Sequence, residues 1–331
     1  MEGRPSSNPD SAAFAERTDP YRRELIAHCY RMLGSLDDAE DLVQETYVRA
    51  WRAYSSFEGR SSVRTWLYRI ATNVCLTALQ QKNHRWLPSG LTAPSAYPVE
   101  QTEAPPATTD WLQPIPDSLI AAESDDPAVV AELRASLRLA LIAALQYLLP
   151  RQRATLILCE VLDWAAAEAA DVLGTTTAAV KSTLQRARAR LREVAPAMED
   201  VLEPAAPDLQ LLLETYMAAF ENSDVQLLAK VLQSDATIEV VPSPTWFAGV
   251  ATCLRYLESE ALFSPGDWRM LPTVANGQPA AAAYLRAPGD STHRPWGIGV
   301  LTCAAGGIAR ITVFDDPHLV GRFGLPTVLS A

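Results

Sequence analysis

Between positions 86 and 127 this chain has eight prolines, seven acidic groups and no lysine or arginine. Proline fixes φ and lacks a backbone donor, so such a stretch supports neither a long helix nor an interior strand. It is read as an acidic Pro-rich linker, extended and poorly able to form a core. It exceeds the roughly 12–15 residues of an ordinary structureless loop, which marks a functional or disordered segment. The folded parts must lie on either side, and 331 residues suffice for two or three cores.

Net charge follows the same division. The chain carries −11 overall, but residues 1–85 are near neutral at +1 and 128–195 carry +3. The linker carries −7 and residues 196–331 carry −8. Any nucleic-acid surface therefore belongs to the first and third segments. The five cysteines, at 29, 75, 159, 253 and 303, have neither zinc-pair nor CxxC spacing and read as reduced thiols used as small apolar residues. No metal or cofactor is expected. The first 20 residues lack an apolar signal segment, and no run approaches the roughly 18 apolar residues that span a bilayer. The expectation is a soluble, cytoplasmic protein without a membrane partner.

Residues 1–18 read as a disordered N-terminus and 19–85 as a helical domain. Ser35 is placed to cap a helix with Ala39, Leu42, Val43, Tyr47, Ala50, Trp51 and Tyr54 on its apolar side. Asp38, Asp41, Gln44 and Glu45 lie on its other face. That face is either a solvated surface or a site for a basic protein partner. The loop at 55–62 feeds a helix whose stripe is Val63, Trp66, Leu67, Ile70, Val74 and Ala78. Phe57, Arg60, Ser61, Arg64 and Asn73 interleave aromatic, basic and polar groups. This mix suits single-stranded DNA, because rings stack on bases and cations hold the backbone. Trp66 is read as core, and Phe57 fits core or stacking equally well.

Residues 128–195 read as a second helical domain. One helix runs through Leu133, Leu137, Leu141 and Leu145, and another over 151–162. An Ala-rich helix over 165–173, a turn at Gly174 and a basic helix over 176–194 give a helix-turn-helix pattern. Val180, Leu184 and Leu191 are its buried stripe. Thr176, Lys181, Ser182, Gln185 and Arg186 face away from it, near the N-terminal half that enters a major groove. There Lys or Arg pairs with guanine and Gln with adenine. Arg188, Arg190 and Arg192 spray around the helix and read as phosphate-positioning or solvent charges. Residues 205–331 read as an α+β domain, with helices at 209–220 and 225–232. Strands follow at 237–241, 280–285, 298–303 and 308–314, in a curved antiparallel sheet.

Asp38-Ala-Glu-Asp-Leu-Val-Gln-Glu-Thr-Tyr-Val-Arg-Ala-Trp51 resembles the polymerase-binding helix of extracytoplasmic-function sigma factors. Phe57–Arg64 followed by Thr65-Trp-Leu-Tyr-Arg-Ile-Ala-Thr-Asn73 resembles their reader of the promoter −10 element. Leu149-Pro-Arg-Gln-Arg-Ala through Ala179-Val-Lys-Ser-Thr-Leu-Gln-Arg-Ala-Arg188 resembles their −35 reader. Trp86-Leu-Pro88, Asp110-Trp-Leu-Gln-Pro-Ile-Pro-Asp117 and Asn276-Gly-Gln-Pro-Ala280 are similar to patterns of the group with a C-terminal SnoaL-like (NTF2-like), cone-shaped domain. The resemblance implies a multidomain chain: two all-α domains, the linker, and that α+β domain. It implies core RNA polymerase as the partner of Asp38, Asp41, Gln44 and Glu45. By the same resemblance, Phe57, Arg60, Ser61, Arg64 and Asn73 engage the melted −10 strand, and Thr176, Lys181, Ser182, Gln185 and Arg186 read the −35 duplex. Ala165–Ala170 departs from the family in lacking its usual capping serine and bulky isoleucine.

The acidic linker fits a channel built for RNA or a solubilising role equally well. SnoaL-like folds resemble enzymes that use pocket carboxylates or tyrosines. However, Tyr216, Asp235, Asp267, His293, Asp315 and Asp316 form no local constellation, so the expectation is no catalysis. A regulatory role is expected instead, by docking or by a small-molecule ligand in the cone. The alternative is a ligand-sensing helix-turn-helix regulator acting without polymerase. That reading leaves Asp38–Asn73 without a purpose.

Overall fold

The computed structural model describes residues 9–81, 84–97, 109–120, 126–194 and 206–330. It divides into two compact units. The first contains Met1–His84, Leu119–Glu132 and Ala144–Pro196; the second contains Arg85–Ser118, Leu133–Ala143 and Ala197–Ala331.

The first unit is helical. Helices α1 (Pro9–Thr18), α2 (Arg22–Leu33), α3 (Leu36–Ala53) and α4 (Val63–Ala78) lead it. The expectation of disorder to residue 18 is corrected over Pro9–Thr18, while residues 1–8 lie outside the described residues. The cause is Phe14, which is buried and set edge-on to Tyr47, Trp51 and Tyr54 at 5.1–6.3 Å. Burying such a ring contributes about 2–3 kcal/mol, enough to hold a short polar helix in place. Ser35 caps α3 as its position foretells, its Oγ accepting from Asp38 N at 3.2 Å. Ser62 caps α4 in the same way, accepting from Thr65 N at 3.0 Å.

The linker is not simply extended. Strands β1 (Arg85–Trp86) and β2 (Asp110–Trp111) pair in parallel, and Leu87, Leu112 and Ile115 are buried in the second unit. Residues 98–108 and 121–125 lie outside the described residues. Beyond the linker, the leucine run expected to form one helix is two, α5 (Pro127–Ala135) and α6 (Leu139–Gln146). Helices α7 (Pro150–Leu156), α8 (Ala166–Leu173) and α9 (Thr177–Val194) follow, with a π-helical turn at Ile157–Val161 after α7. Gly174 takes φ +60° at the end of α8, a left-handed position that suits glycine, and turns the chain into α9.

The second unit's α+β core begins with α10 (Ala206–Glu221) and α11 (Val225–Val231). Strands β3 (Leu232–Val241) and β4 (Trp246–Ala248), α12 (Val250–Tyr256), and strands β5 (Trp268–Ala275), β6 (Gln278–Leu285), β7 (Thr292–Ala304) and β8 (Gly307–Phe314) follow. Helix α13 (Pro317–Arg322) and β9 (Leu329–Ser330) end the described chain. The strand order is β4-β3-β8-β7-β6-β5. The expected all-antiparallel sheet is corrected, because β3 and β8 pair in parallel while the other neighbours are antiparallel. The α10 residues Tyr216 and Phe220 pack with Trp268, Met270 and Leu301 in one apolar core. Residues 85–97, 109–118 and 133–143 belong to this same unit, so the expected boundary at 205 is widened.

His28 of α2 is fully buried, its Nε2 bonded to Thr72 Oγ1 at 2.9 Å. Burial, reinforced by nearby Arg31, lowers its pKa from 6.5 to about 3. The unfolded chain therefore binds a proton near pH 6.5 that the folded chain refuses. Stability contributed by the neutral ring is present above that pH and lost as pH falls toward 3. Urea unfolding should show about 2 kcal/mol lost between pH 7 and pH 5, and His28→Gln should flatten that slope. An identical slope in the variant would contradict this assignment.

Candidate functional site

Three surfaces carry the residues singled out in the sequence, and a clasp lies apart from them in the second unit. On α3, Asp38, Asp41 and Glu45 follow each other at helical spacing with Gln44 beside them. Asp41 and Gln44 are exposed; Asp38 and Glu45 are half-buried. Glu45 pairs with Arg49 at 2.7 Å one turn on, leaving the stripe acidic over its first half. The opposite face of the helix buries Ala39, Val43 and Ala50.

The loop before α4 brings Phe57, Arg60 and Ser61 together at one end of that helix. Phe57 packs on Trp66 with centroids 4.7 Å apart and the rings tilted by 32°, and both are half-buried, so each combines packing with some exposed surface. Arg60 and Ser61 are exposed, as is Asn73 further along α4. Arg64 differs from the rest of this set. Its Nε donates to Glu24 at 2.7 Å, and its guanidinium lies 5.2 Å from the Tyr68 ring and 5.6 Å from the Trp164 ring.

On α9, Val180 and Ala187 face the core while Lys181, Ser182, Gln185 and Arg186 are exposed together. Thr176 is also exposed, and its Oγ1 accepts from Ala179 N at 3.2 Å, capping the helix. The Arg186 guanidinium leans on Thr183 Oγ1 at 3.2 Å. Arg188 is paired with Glu160, which turns it from a free phosphate contact into part of the support. At Ala165, where a side-chain cap is lacking, Glu168 accepts the Ala165 N–H at 2.9 Å instead.

Two contacts hold the helical modules together inside the first unit, and neither was foreseen. Trp164 meets Tyr68 at 5.1 Å and covers Arg64. Arg153 of α7 is buried; its guanidinium donates to Met32 O at the end of α2, to Gln146 O and Oε1, and to Leu148 O. Burial lowers its pKa from 12.5 to about 10, so it stays charged at neutral pH, with carbonyl oxygens in place of water. Leu149-Pro-Arg-Gln-Arg opens the stretch that resembles the −35 reader, and nothing local in it signals a buried arginine.

The clasp lies in the second unit. The β5–β6 turn is an Asn-Gly pair with φ +57° and +68°, both residues left-handed. Asn276 Oδ1 accepts from Ile115 N at 3.0 Å and Asn276 Nδ2 donates to Leu137 O at 2.7 Å. Asn276 N donates to Ile115 O at 2.9 Å, and Gly277 N donates to Asp117 Oδ1 at 2.8 Å. Gln278 Oε1 accepts from Leu139 N at 3.0 Å. A Cβ on Gly277 would stand 2.7 Å from Arg134 Cβ, so only glycine allows this approach. At the other edge, Ser89 N donates to the buried carboxylate of Glu239 at 3.2 Å, Thr92 Oγ1 donates to Pro244 O, and Trp246 Nε1 donates to Thr92 O. These contacts cover edge strand β4.

The residues weighed for catalysis do not converge. Tyr216 is buried among apolar neighbours, and burial raises its hydroxyl pKa. Asp235 is exposed on β3. Asp267 pairs with Arg286 at 3.2 Å and accepts Ser264 N, while His293 Nε2 bonds Gly266 O at 3.0 Å. Asp316 caps α13 by accepting His318 N. Among the described residues no cluster of His, Cys, Asp or Glu could hold a metal, and no helix is long and apolar enough to cross a membrane.

Two stretches of the chain match known families. Residues 19–85 match Sigma-70 region 2, and residues 138–191 match Sigma-70 region 4. The chain is 48% identical to the ECF RNA polymerase sigma factor SigG of Mycobacterium tuberculosis, over 99% of this chain and 88% of that protein. It is 26% identical to the probable ECF RNA polymerase sigma factor SigI of the same species, over 94% of each. The crystal structure of the M. tuberculosis extracytoplasmic-function sigma factor SigJ covers 95% of this chain and 99% of its own, with TM-score 0.62 at 21% identity. That likeness shows the fold, helical modules followed by a SnoaL-like α+β domain.

Asn276→Ala removes two hydrogen bonds and leaves Ile115 N–H and Leu137 C=O without those partners. Unmet buried groups cost about 1–3 kcal/mol each. Hydrogen exchange at the Ile115 amide should therefore speed up by at least about tenfold while that of β7 is unchanged. Equal protection of Ile115 in the variant would remove Asn276 as the clasp.

Proposed function

The chain belongs to the extracytoplasmic-function RNA polymerase sigma factors, which direct transcription initiation, and from that premise we propose residue roles and a mode of control. Asp38, Asp41, Gln44 and Glu45 form the polymerase-binding stripe. Phe57, Arg60, Ser61, Arg64 and Asn73 engage the −10 strand, and Thr176, Lys181, Ser182, Gln185 and Arg186 read the −35 duplex. What supports this is exposure: every residue of the DNA set, the partly covered Arg64 included, offers at least part of its surface to solvent, on a loop or a helix face whose reverse side is core. The second unit acts as a regulator without catalytic chemistry of its own, and the factor works in the cytoplasm.

The control is set by tether length. The names of the two promoter elements put them about 25 base pairs apart, roughly 85 Å of B-DNA at about 3.4 Å per pair. The readers must therefore part, exposing Arg64 from under Trp164 and breaking the Arg153 contact with α2. The chain joining them must also pay out. Arg85 pairs with Asp110, so about 80 Å of extended chain is folded back to one strand spacing. The Asn276 amide then holds Ile115 N and Leu137 O within about 8 Å of each other, folding back roughly another 70 Å. With both folds closed, the path from 85 to 137 reaches only about 30 Å. Release of this clasp is what lets one factor span a promoter.

The observation that carries this reading is the single side chain of Asn276 bonded to both segments. Purified chain with core polymerase should give specific run-off transcripts from its promoter. Lys181→Ala or Arg186→Ala should weaken promoter binding by about 1–3 kcal/mol and relax −35 preference. Asn276→Ala should raise transcript yield several-fold at limiting factor. Unchanged −35 preference in both variants would remove those residues as readers, and unchanged or lower yield from Asn276→Ala would remove the tether mechanism.

A further inference from the structure

A cavity of about 320 Å³ opens between the linker and the end of the sheet in the second unit. Arg85, Trp111 and Gln113 of the linker line one side, and Phe314, Asp315 and Asp316 of the domain line the other. The apolar interior of the cone is occupied by Tyr216, Phe220, Trp268 and Met270, so the ligand foreseen there has a better-formed alternative at this seam.

Its chemistry is specific. Trp111 is half-buried and offers aromatic surface, while Phe314 is buried and closes the wall behind it. The two neighbouring carboxylates differ: Asp316 Oδ1 is engaged by His318 N, whereas the Asp315 carboxylate has no hydrogen-bond or ion-pair partner among the described residues. Burial, followed by the like charge of Asp316, raises the Asp315 pKa. A cation beside it would be welcomed twice, by the carboxylates and by the Trp111 ring. The volume lies at the small end of ligand pockets, suited to an ammonium group on a compact apolar body.

We propose that this cavity binds a small organic ammonium compound, with the cation at Asp315 and the apolar body against Trp111. This deepens the tether reading and rests on it for its regulatory meaning. Because Trp111, Leu112 and Gln113 of the linker form part of the wall, an occupant touches both linker and domain, and it stabilises the docked tether by its own binding free energy. Leu112 N donates to Trp86 O at 3.0 Å beside the cavity, and Ile115 is clasped next to it, so their amides report occupancy.

The test uses the full chain titrated by calorimetry with phenethylamine and with choline, and with phenylacetate as the anionic counterpart. Saturable binding of at least one cation is expected, with none by phenylacetate. Asp315→Asn, which keeps the side chain's shape, should weaken cation binding by at least about tenfold. Trp111→Ala should weaken it as well, and the bound cation should slow exchange at Leu112 and Ile115. Absence of saturation by both cations up to about 10 mM would overturn the proposal, as would binding that Asp315→Asn leaves unchanged. Cation binding that protects the linker without changing transcription would keep the site and sink the tether reading. A transcript gain in Asn276→Ala without any cation binding would do the reverse.

Discussion

One buried amide joins parts of the chain that sequence keeps far apart. Asn276 uses its oxygen for Ile115 and its nitrogen for Leu137, while the backbone of the same turn takes Ile115 O and Asp117. Buried polar groups of this kind are costly when unmet, so the turn and its two guests are stable together and poor apart. The left-handed Asn-Gly geometry, the missing Cβ at Gly277 and the break between α5 and α6 all serve that arrangement. The break is instructive. Leu137 O and Leu139 N, groups a continuous helix would pair internally, are taken by Asn276 and Gln278.

The first unit obeys a comparable rule with different chemistry. Arg153 replaces its hydration with carbonyl oxygens from α2 and from the turn before α7, and Trp164 lies over Tyr68 and Arg64. A charged donor held by carbonyls is strong while the surfaces stay together and is readily rehydrated when they part. Such a contact suits modules that must be closed in one state and separate in another. The faces proposed to read DNA lie outside this contact, on α9 and around Phe57, and are open to solvent at least in part.

Much of this was readable from the sequence, wherever the signal is local. Ser35, Gly174 and the acidic face of α3 follow from capping and helical periodicity, and the structure places them so; of the α9 stripe Val180 is buried, while Leu184 and Leu191 are half-buried and Ala187 takes the core position between them. What was not readable depends on distant partners. The linker composition says only that it builds no core alone; it does not say that Leu112 and Ile115 have a core waiting elsewhere. Helix α1 looks too polar to persist until Phe14 meets three rings from α3 and the turn after it. Strand β5 is not among the expected strands, and it contains Pro272; it is an edge strand, where a proline is tolerated because one side of the ladder is unpaired. Glu239 stands in an apolar strand with its partners in β8 and the linker.

The central claim is that separation of the two readers and release of the tether are one event. It is tested by following both together: energy transfer between dyes placed next to Ser61 and Gln185, and hydrogen exchange at Ile115, as core polymerase and promoter DNA are added. The account predicts that the dyes move apart, to several tens of ångströms, only in the complex where Ile115 loses its protection. Separated dyes with Ile115 still protected would contradict it.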